Sequence, residues 1–196
     1  MSRLATVFVS LILISFAFSA NPAVGANPKP FVVPELRQWT GAKGSFTPNP
    51  TNTAIPVADS SLLKIAGAFA DDYKAMFGTA LPVKVGKSAK GNFHFALKAD
   101  KKLGNEGYSI EISDRVTVTA PEKTGAFWAT RTLLQISEQS ADRSVPCGKI
   151  TDWPDYALRG LSMDVGRKFF PMSYLRDLVK VLAYYKMNSL RIHLND

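Results

Sequence analysis

Cysteine and histidine are nearly missing from this 196-residue chain, which carries one cysteine and two histidines. A single cysteine excludes an intrachain disulfide framework, and two histidines beside it cannot assemble a Cys/His zinc site. No cofactor is implied by any motif. Dense blocks of one charge are missing too. The net charge is +8, but the tightest group of lysines (Lys84, Lys87, Lys90, Lys98, Lys101 and Lys102) is diluted by Gly, Ala and Ser. That spacing reads as a solvated face, and no nucleic-acid partner is expected. What remains is a globular composition, because 46% apolar and 20% charged residues are incompatible with a disordered chain.

No apolar run reaches the ~20 residues of a membrane-spanning helix. The longest, Leu4 to Phe18, follows Ser2-Arg3 and leads through small residues to Val24-Gly25-Ala26, a cleavage site before Asn27. This is the layout of a secretory signal peptide over residues 1–26, with a membrane anchor as the alternative. No cysteine lies near the junction to take a lipid. The expected product is exported, periplasmic or extracellular, and holds to no membrane once the leader is removed.

Residues 27–56 are proline-rich and weakly patterned, with Phe31-Val32-Val33 as a possible first strand. From Ser60 the pattern turns helical: Leu62, Ala66, Phe69, Tyr73 and Met76 fall on one stripe, with Asp59 or Ser60 to cap its start and Gly78 its end. Leu81–Val85 and Asn92–Leu97 read as strands. Tyr108, Ile110 and Ile112 alternate with polar residues, turn at Asp114-Arg115, and continue in Val116 and Val118, which describes a half-buried hairpin. Thr124 can cap a second helix whose stripe is Ala126, Ala129, Leu133 and Ile136. These elements compose an α+β domain over residues 27–145, a sheet with two helices on one face.

Polar residues 137–144 mark a boundary, beyond which the pattern changes. Ala157–Val165 reads as a buried strand entered from Asp152-Trp153-Pro154. A helix opens at Pro171 and Ser173 and runs through Met187, with Leu175, Leu178, Val179, Leu182 and Tyr185 along one face. Ser189–Leu194 is a second apolar strand. Strand, helix and strand in that order make one βαβ unit of a parallel sheet over residues 150–196. Its sheet would stand with bare faces and edges, so the chain is expected to be a truncated one. In parallel α/β folds ligands sit beyond the carboxyl ends of the strands, where Arg167 and Asp196 fall. An arginine there offers a planar fork suited to vicinal hydroxyls or a carboxylate; the alternative is a surface arginine in a loop.

The stretch Arg159-Gly160-Leu161-Ser162-Met163-Asp164-Val165-Gly166-Arg167-Lys168-Phe169-Phe170-Pro171 resembles the opening of the catalytic barrel in family 20 glycoside hydrolases, the β-N-acetylhexosaminidases. Ile150-x-Asp152-x-Pro154, Tyr185-Lys186-Met187-Asn188 and His193-Leu194-Asn195-Asp196 match in order and spacing. The region from about residue 31 to 140 resembles the domain that precedes the barrel in these enzymes. A complete (β/α)8 barrel needs about 250 residues, so only its first βαβ unit can be present here.

The resemblance implies that Arg167 binds the O3 and O4 hydroxyls of the terminal sugar. It also implies that Asp196, Asp164 and His193 support the active site. His193 is read as a buried, hydrogen-bonded histidine, and strand alternation puts Asp196 on the opposite face unless the strand breaks register. Gly166 and Lys168 stand where many members have Ser and His. The implied reaction is hydrolysis of terminal non-reducing N-acetylhexosamine residues from glycans by a substrate-assisted, retaining mechanism. There a Glu protonates the leaving oxygen, and the Asp before it steadies the attacking acetamido group, outside the two-carboxylate scheme. No Asp-Glu dipeptide occurs in the chain, so no catalytic pair is expected in it and the fragment alone should be inactive. The alternative is a non-catalytic carbohydrate-binding or interaction module. Linkage, GlcNAc against GalNAc preference, and oligomeric state are not encoded in these motifs.

Overall fold

The computed structural model describes residues 25–195. The leader read over residues 1–26 lies outside them apart from its last two residues, and Asp196 lies outside them as well. The elements are β1 (Gln38–Phe46), β2 (Ile55–Val57), a 3-10 turn (Ser60–Leu62) leading into α1 (Leu63–Phe77), β3 (Val83–Val85) and β4 (Phe93–Leu97). They continue with β5 (Tyr108–Ile112), β6 (Val116–Ala120), α2 (Lys123–Glu138), β7 (Val145–Asp152), β8 (Gly160–Asp164), α3 (Met172–Tyr184) and β9 (Ser189–His193).

Seven strands form one mixed sheet in the order β1-β7-β5-β6-β4-β2-β3. The β5–β6 hairpin is antiparallel with Ile110 opposite Val118, while β4 runs parallel to both β6 and β2. Alternation sorts the two faces. Tyr108, Ile110, Ile112, Val116, Val118, Phe93 and Phe95 are buried on one, and α1 and α2 cover it with Ala66, Phe69, Tyr73, Ala126, Ala129, Leu133 and Ile136. Edge-to-face rings tie the layers together, with Phe69 5.4 Å and Phe46 5.3 Å from Phe93. The turn before α1 is capped as its sequence dictates, Asp59 Oδ1 accepting from the Ser61 amide at 2.6 Å. At the far end Gly78 adopts the left-handed conformation (φ 75°) and donates to Lys74 O at 2.8 Å.

β8 and β9 pair in parallel, Gly160 opposite Ser189 through Asp164 opposite His193, with α3 between them in the chain. The expected βαβ unit is therefore present, and it forms its own two-stranded sheet.

Several local expectations are corrected. Phe31–Val33 forms no strand; it is a strap whose Val33 amide and carbonyl bond Gln135 on α2 at 2.8 and 2.9 Å. Pro30 and Pro34 on either side deny it the donors a ladder needs. β1 and β7 were invisible to patterning because glycines and Pro146 interrupt their alternation, and β1 is an edge strand exposed along much of its length. α2 starts at Lys123, so Thr124 lies inside it rather than capping it. α3 ends at Tyr184, two residues before Lys186 turns left-handed (φ 58°), and does not reach Met187. β8, read as a buried strand, is open in this chain, and with β9 it shows the bare faces expected of the unit, Leu161 and Ile192 being 40% exposed or more. The large sheet continues to Asp152, so the chain returns to it after residues 139–144 before leaving for β8.

Candidate functional site

The residues singled out from the sequence gather where β8 and β9 end. Asp164 is the last residue of β8, and its partner in the ladder is His193, the last of β9. The chain then turns back on Asp164. Its Oδ1 accepts from the amides of Gly166 (2.9 Å) and Arg167 (3.1 Å), and its Oδ2 takes the Arg167 guanidinium at 2.6 Å. The Arg167 amide, ahead of its side chain and the Gly166 amide, holds the Asp164 carboxyl below the usual aspartate range. Asp164 therefore stays ionised and steers one arm of the guanidinium fork. The arginine side chain is 74% exposed, as a group presented to a ligand must be. Gly166 sits where a Cβ would overlap the Leu194 carbonyl oxygen, so a glycine lets the turn close on the neighbouring strand end. His193 is half-buried rather than buried. The structure thus joins Asp164, Arg167 and His193; Asp196 lies outside the described residues.

A second cluster, which sequence reasoning missed, lies at the opposite ends of the same strands. Lys186 is buried between α3 and β9, its ammonium 2.8 Å from Tyr108 Oη and 3.0 Å from Asp152 Oδ2. Tyr108 also donates to Asp152 and meets Thr132 Oγ1 at 2.6 Å. Burial pulls Lys186 below the ordinary lysine value, against the pull of the Asp152 carboxylate, and burial next to that carboxylate pushes Tyr108 well up. Nearby, Glu106 accepts from Trp128 Nε1 (2.8 Å), from Asn188 Nδ2 (3.3 Å) and from Arg159. A cavity of about 240 Å³ opens beside these groups, walled by Trp128, Trp153, Pro154 and Tyr156. The signal in the sequence was that Asp152, Arg159 and Lys186 all sit in the quoted motifs, though no role attached to them. Among the described residues, no group of three or more His, Cys, Asp or Glu is placed to hold a metal ion.

A mixed sheet with helices on one face, then a parallel strand–helix–strand whose charged residues crown the strand ends, is the two-part layout that the resemblance implies. Family comparison agrees. The family model for glycosyl hydrolase family 20, domain 2, matches residues 29–153, and that for the family 20 catalytic domain matches residues 156–196. The chain belongs to glycosyl hydrolase family 20. It is 34% identical over 152 residues to a β-N-acetylhexosaminidase of Cellulomonas fimi, covering 74% of this chain and 31% of that protein. It is 42% identical over 97 residues to a β-hexosaminidase of Akkermansia muciniphila, covering 48% of this chain and 20% of the relative. Among solved structures, a mutant β-hexosaminidase of Streptomyces plicatus in complex with its product GlcNAc superposes with a TM-score of 0.73 at 27% identity, over 88% of this chain and 36% of that one. The chain thus spans between a fifth and about a third of the length of these relatives.

Proposed function

We propose that this chain is the N-terminal domain and first βαβ unit of an exported β-N-acetylhexosaminidase, in which Arg167 binds the terminal N-acetylhexosamine of a glycan. The observation that carries the reading is the Asp164–Arg167 pair at the strand ends, inside the segment that matches the family's catalytic domain. A guanidinium held by an ionised carboxylate is preorganised to donate to the oxygens of vicinal sugar hydroxyls, so little rotamer entropy is spent on binding. The relatives' names and the GlcNAc complex support an N-acetylhexosamine substrate. The substrate-assisted route needs an Asp-Glu pair that this chain does not contain. Turnover therefore requires the remainder of a catalytic domain, which would also cover the open flanks of β8 and β9. Export rests on the leader pattern read in residues 1–26, and Asn27, which follows it, is tied into the sheet edge. Its amide bonds Ala42 O at 3.0 Å, and its side chain bonds Gly44 O at 2.6 Å and Cys147 O at 3.1 Å. Among the described residues no helix is long and apolar enough to cross a membrane.

The test joins this chain to the remainder of a family 20 catalytic domain and follows hydrolysis of an aryl β-N-acetylglucosaminide. Arg167→Lys keeps the charge and loses the fork. Hydrogen bonds to a charged group are worth about 1.5–3 kcal/mol each, so kcat/KM should drop about 10- to 100-fold. Arg176→Ala, at an exposed position on α3, should be near neutral. A change within twofold for Arg167→Lys, with the fold intact, removes Arg167 from the sugar site.

A further inference from the structure

The βαβ unit touches the large domain in an uneven way. Its hydrogen bonds to that domain come from one end, the residues that precede β8, the last residue of α3 and those between α3 and β9. Arg159 reaches Glu106 and lies over the Trp128 ring with its guanidinium 5.6 Å from the centroid. Asn188 reaches Glu106 as well, and its side chain also spans the two strand starts, accepting from the Arg159 amide at 2.9 Å and donating to Ala157 O at 2.8 Å. Lys186 enters the Tyr108–Asp152 pocket, and Gln135 Nε2 donates to Tyr184 O at 2.9 Å. Away from that end the unit is open. Leu161, Val179, Val181, Ile192 and Leu194 are 40–69% exposed, and Leu182 alone is a buried apolar residue of α3.

A two-stranded sheet with one helix is marginal by itself in water, and this one hides little apolar surface to offset its ordering entropy. We infer that the N-terminal domain carries a built receptor for the start of the catalytic domain. In it Glu106 and the Tyr108–Asp152 pair seat Arg159, Asn188 and Lys186, and this seating orders the β8–β9 pair. Glu106 is the keystone, because one carboxylate bridges the residues just before both strands and so sets their register from below. The left-handed turn at Lys186 serves the same end, since it swings the ammonium back toward the large sheet immediately before β9. This role uses no active-site residue and stands whether or not Arg167 binds sugar.

The test is amide hydrogen exchange on the full chain, comparing residues 160–164 and 189–193 with residues 93–97 and 116–120 in the core of the large sheet. Glu106→Gln keeps an acceptor for Trp128 and removes the charge facing Arg159. The expected result is at least a tenfold loss of protection in β8 and β9, with β4 and β6 within twofold of the parent. Lys186→Met should do the same. If its stranded Asp152 carboxylate unfolds the large domain, the double variant Asp152→Asn/Lys186→Met removes both charges and gives the same comparison. Unchanged protection in β8 and β9, or an equal loss in both regions, overturns the proposal.

Discussion

Alanine at Gly125 and alanine at Gly67 are one chemical change made in two helices of the same layer. Their surroundings differ. A Cβ at Gly67, in α1, would meet nothing within 4 Å, and α-helical glycines cost about 0.5–1 kcal/mol relative to alanine through the freedom they lose on folding. Gly67→Ala should therefore stabilise the domain by about that amount. A Cβ at Gly125, in the first turn of α2, would overlap the Gly107 carbonyl oxygen, with the Gly107 carbonyl carbon at 3.1 Å and Ala120 Cβ at 3.2 Å. Those atoms belong to backbone and to the last residue of β6, so neither can swing aside. α2 must withdraw instead, and it buries Trp128, Leu133, Leu134 and Ile136. Overpacking of this kind costs about 1–3 kcal/mol, more than the propensity gain returns. Urea unfolding followed by tryptophan emission reads both variants, since Trp128 lies on α2 itself. A difference of about 1–3 kcal/mol between them is expected, because the propensity gain is common to both and only the overpacking differs. If Gly125→Ala proves as stable as the parent, the close approach of α2 to the start of β5 is wrong.

Two further outcomes follow from buried charge. Arg131 is 5% exposed in its side chain and pairs with Asp72 at 2.5 Å, while Asp72 keeps 39% exposure. Asp72→Ala leaves a buried guanidinium short of its partner and should cost about 1–3 kcal/mol, discounted for the wet side of the pair. Arg131→Met removes that charge and leaves a carboxylate that water can reach, so denaturant midpoints should fall further for Asp72→Ala. His94 is buried with its Nδ1 3.0 Å from Pro56 O. Burial holds it below the ordinary histidine value, the Pro56 bond opposing and Arg115 adding to the shift. The unfolded chain then binds the proton more readily than the native one. This contribution to stability is complete above pH ~6.5 and is lost as pH falls through the depressed value. Denaturation midpoints measured from pH 7.5 to 5 should show this loss in the parent and lack it in His94→Gln.

Some of this molecule is written locally, and that part was legible. The stripe from Leu62 to Tyr73, the alternation across Tyr108–Val118 and the Asp59 and Gly78 caps each follow from interactions within a few residues. The strand–helix–strand after residue 157 was legible for the same reason, and the Asp164–Arg167 turn is a contact three residues long. The motif from Arg159 to Pro171 carried the family with it.

Long-range pairing decided the rest. β1 and β7 carry poor alternation, and they are strands because each supplies the other's hydrogen bonds across more than a hundred residues, Trp39 opposite Ile150. The junction is more extreme. Glu106 and Tyr108, Trp128, Asp152, Arg159 and Lys186 come from five stretches of chain, and no spacing announces that a lysine after α3 will neutralise an aspartate at the end of β7. Desolvation makes such a charge acceptable only when its partner is present, and only the folded chain brings the partner there. Exposure was decided in the same way. The sequence of β8 and β9 is that of buried strands, yet burial requires neighbours, and in this chain their outer faces meet water.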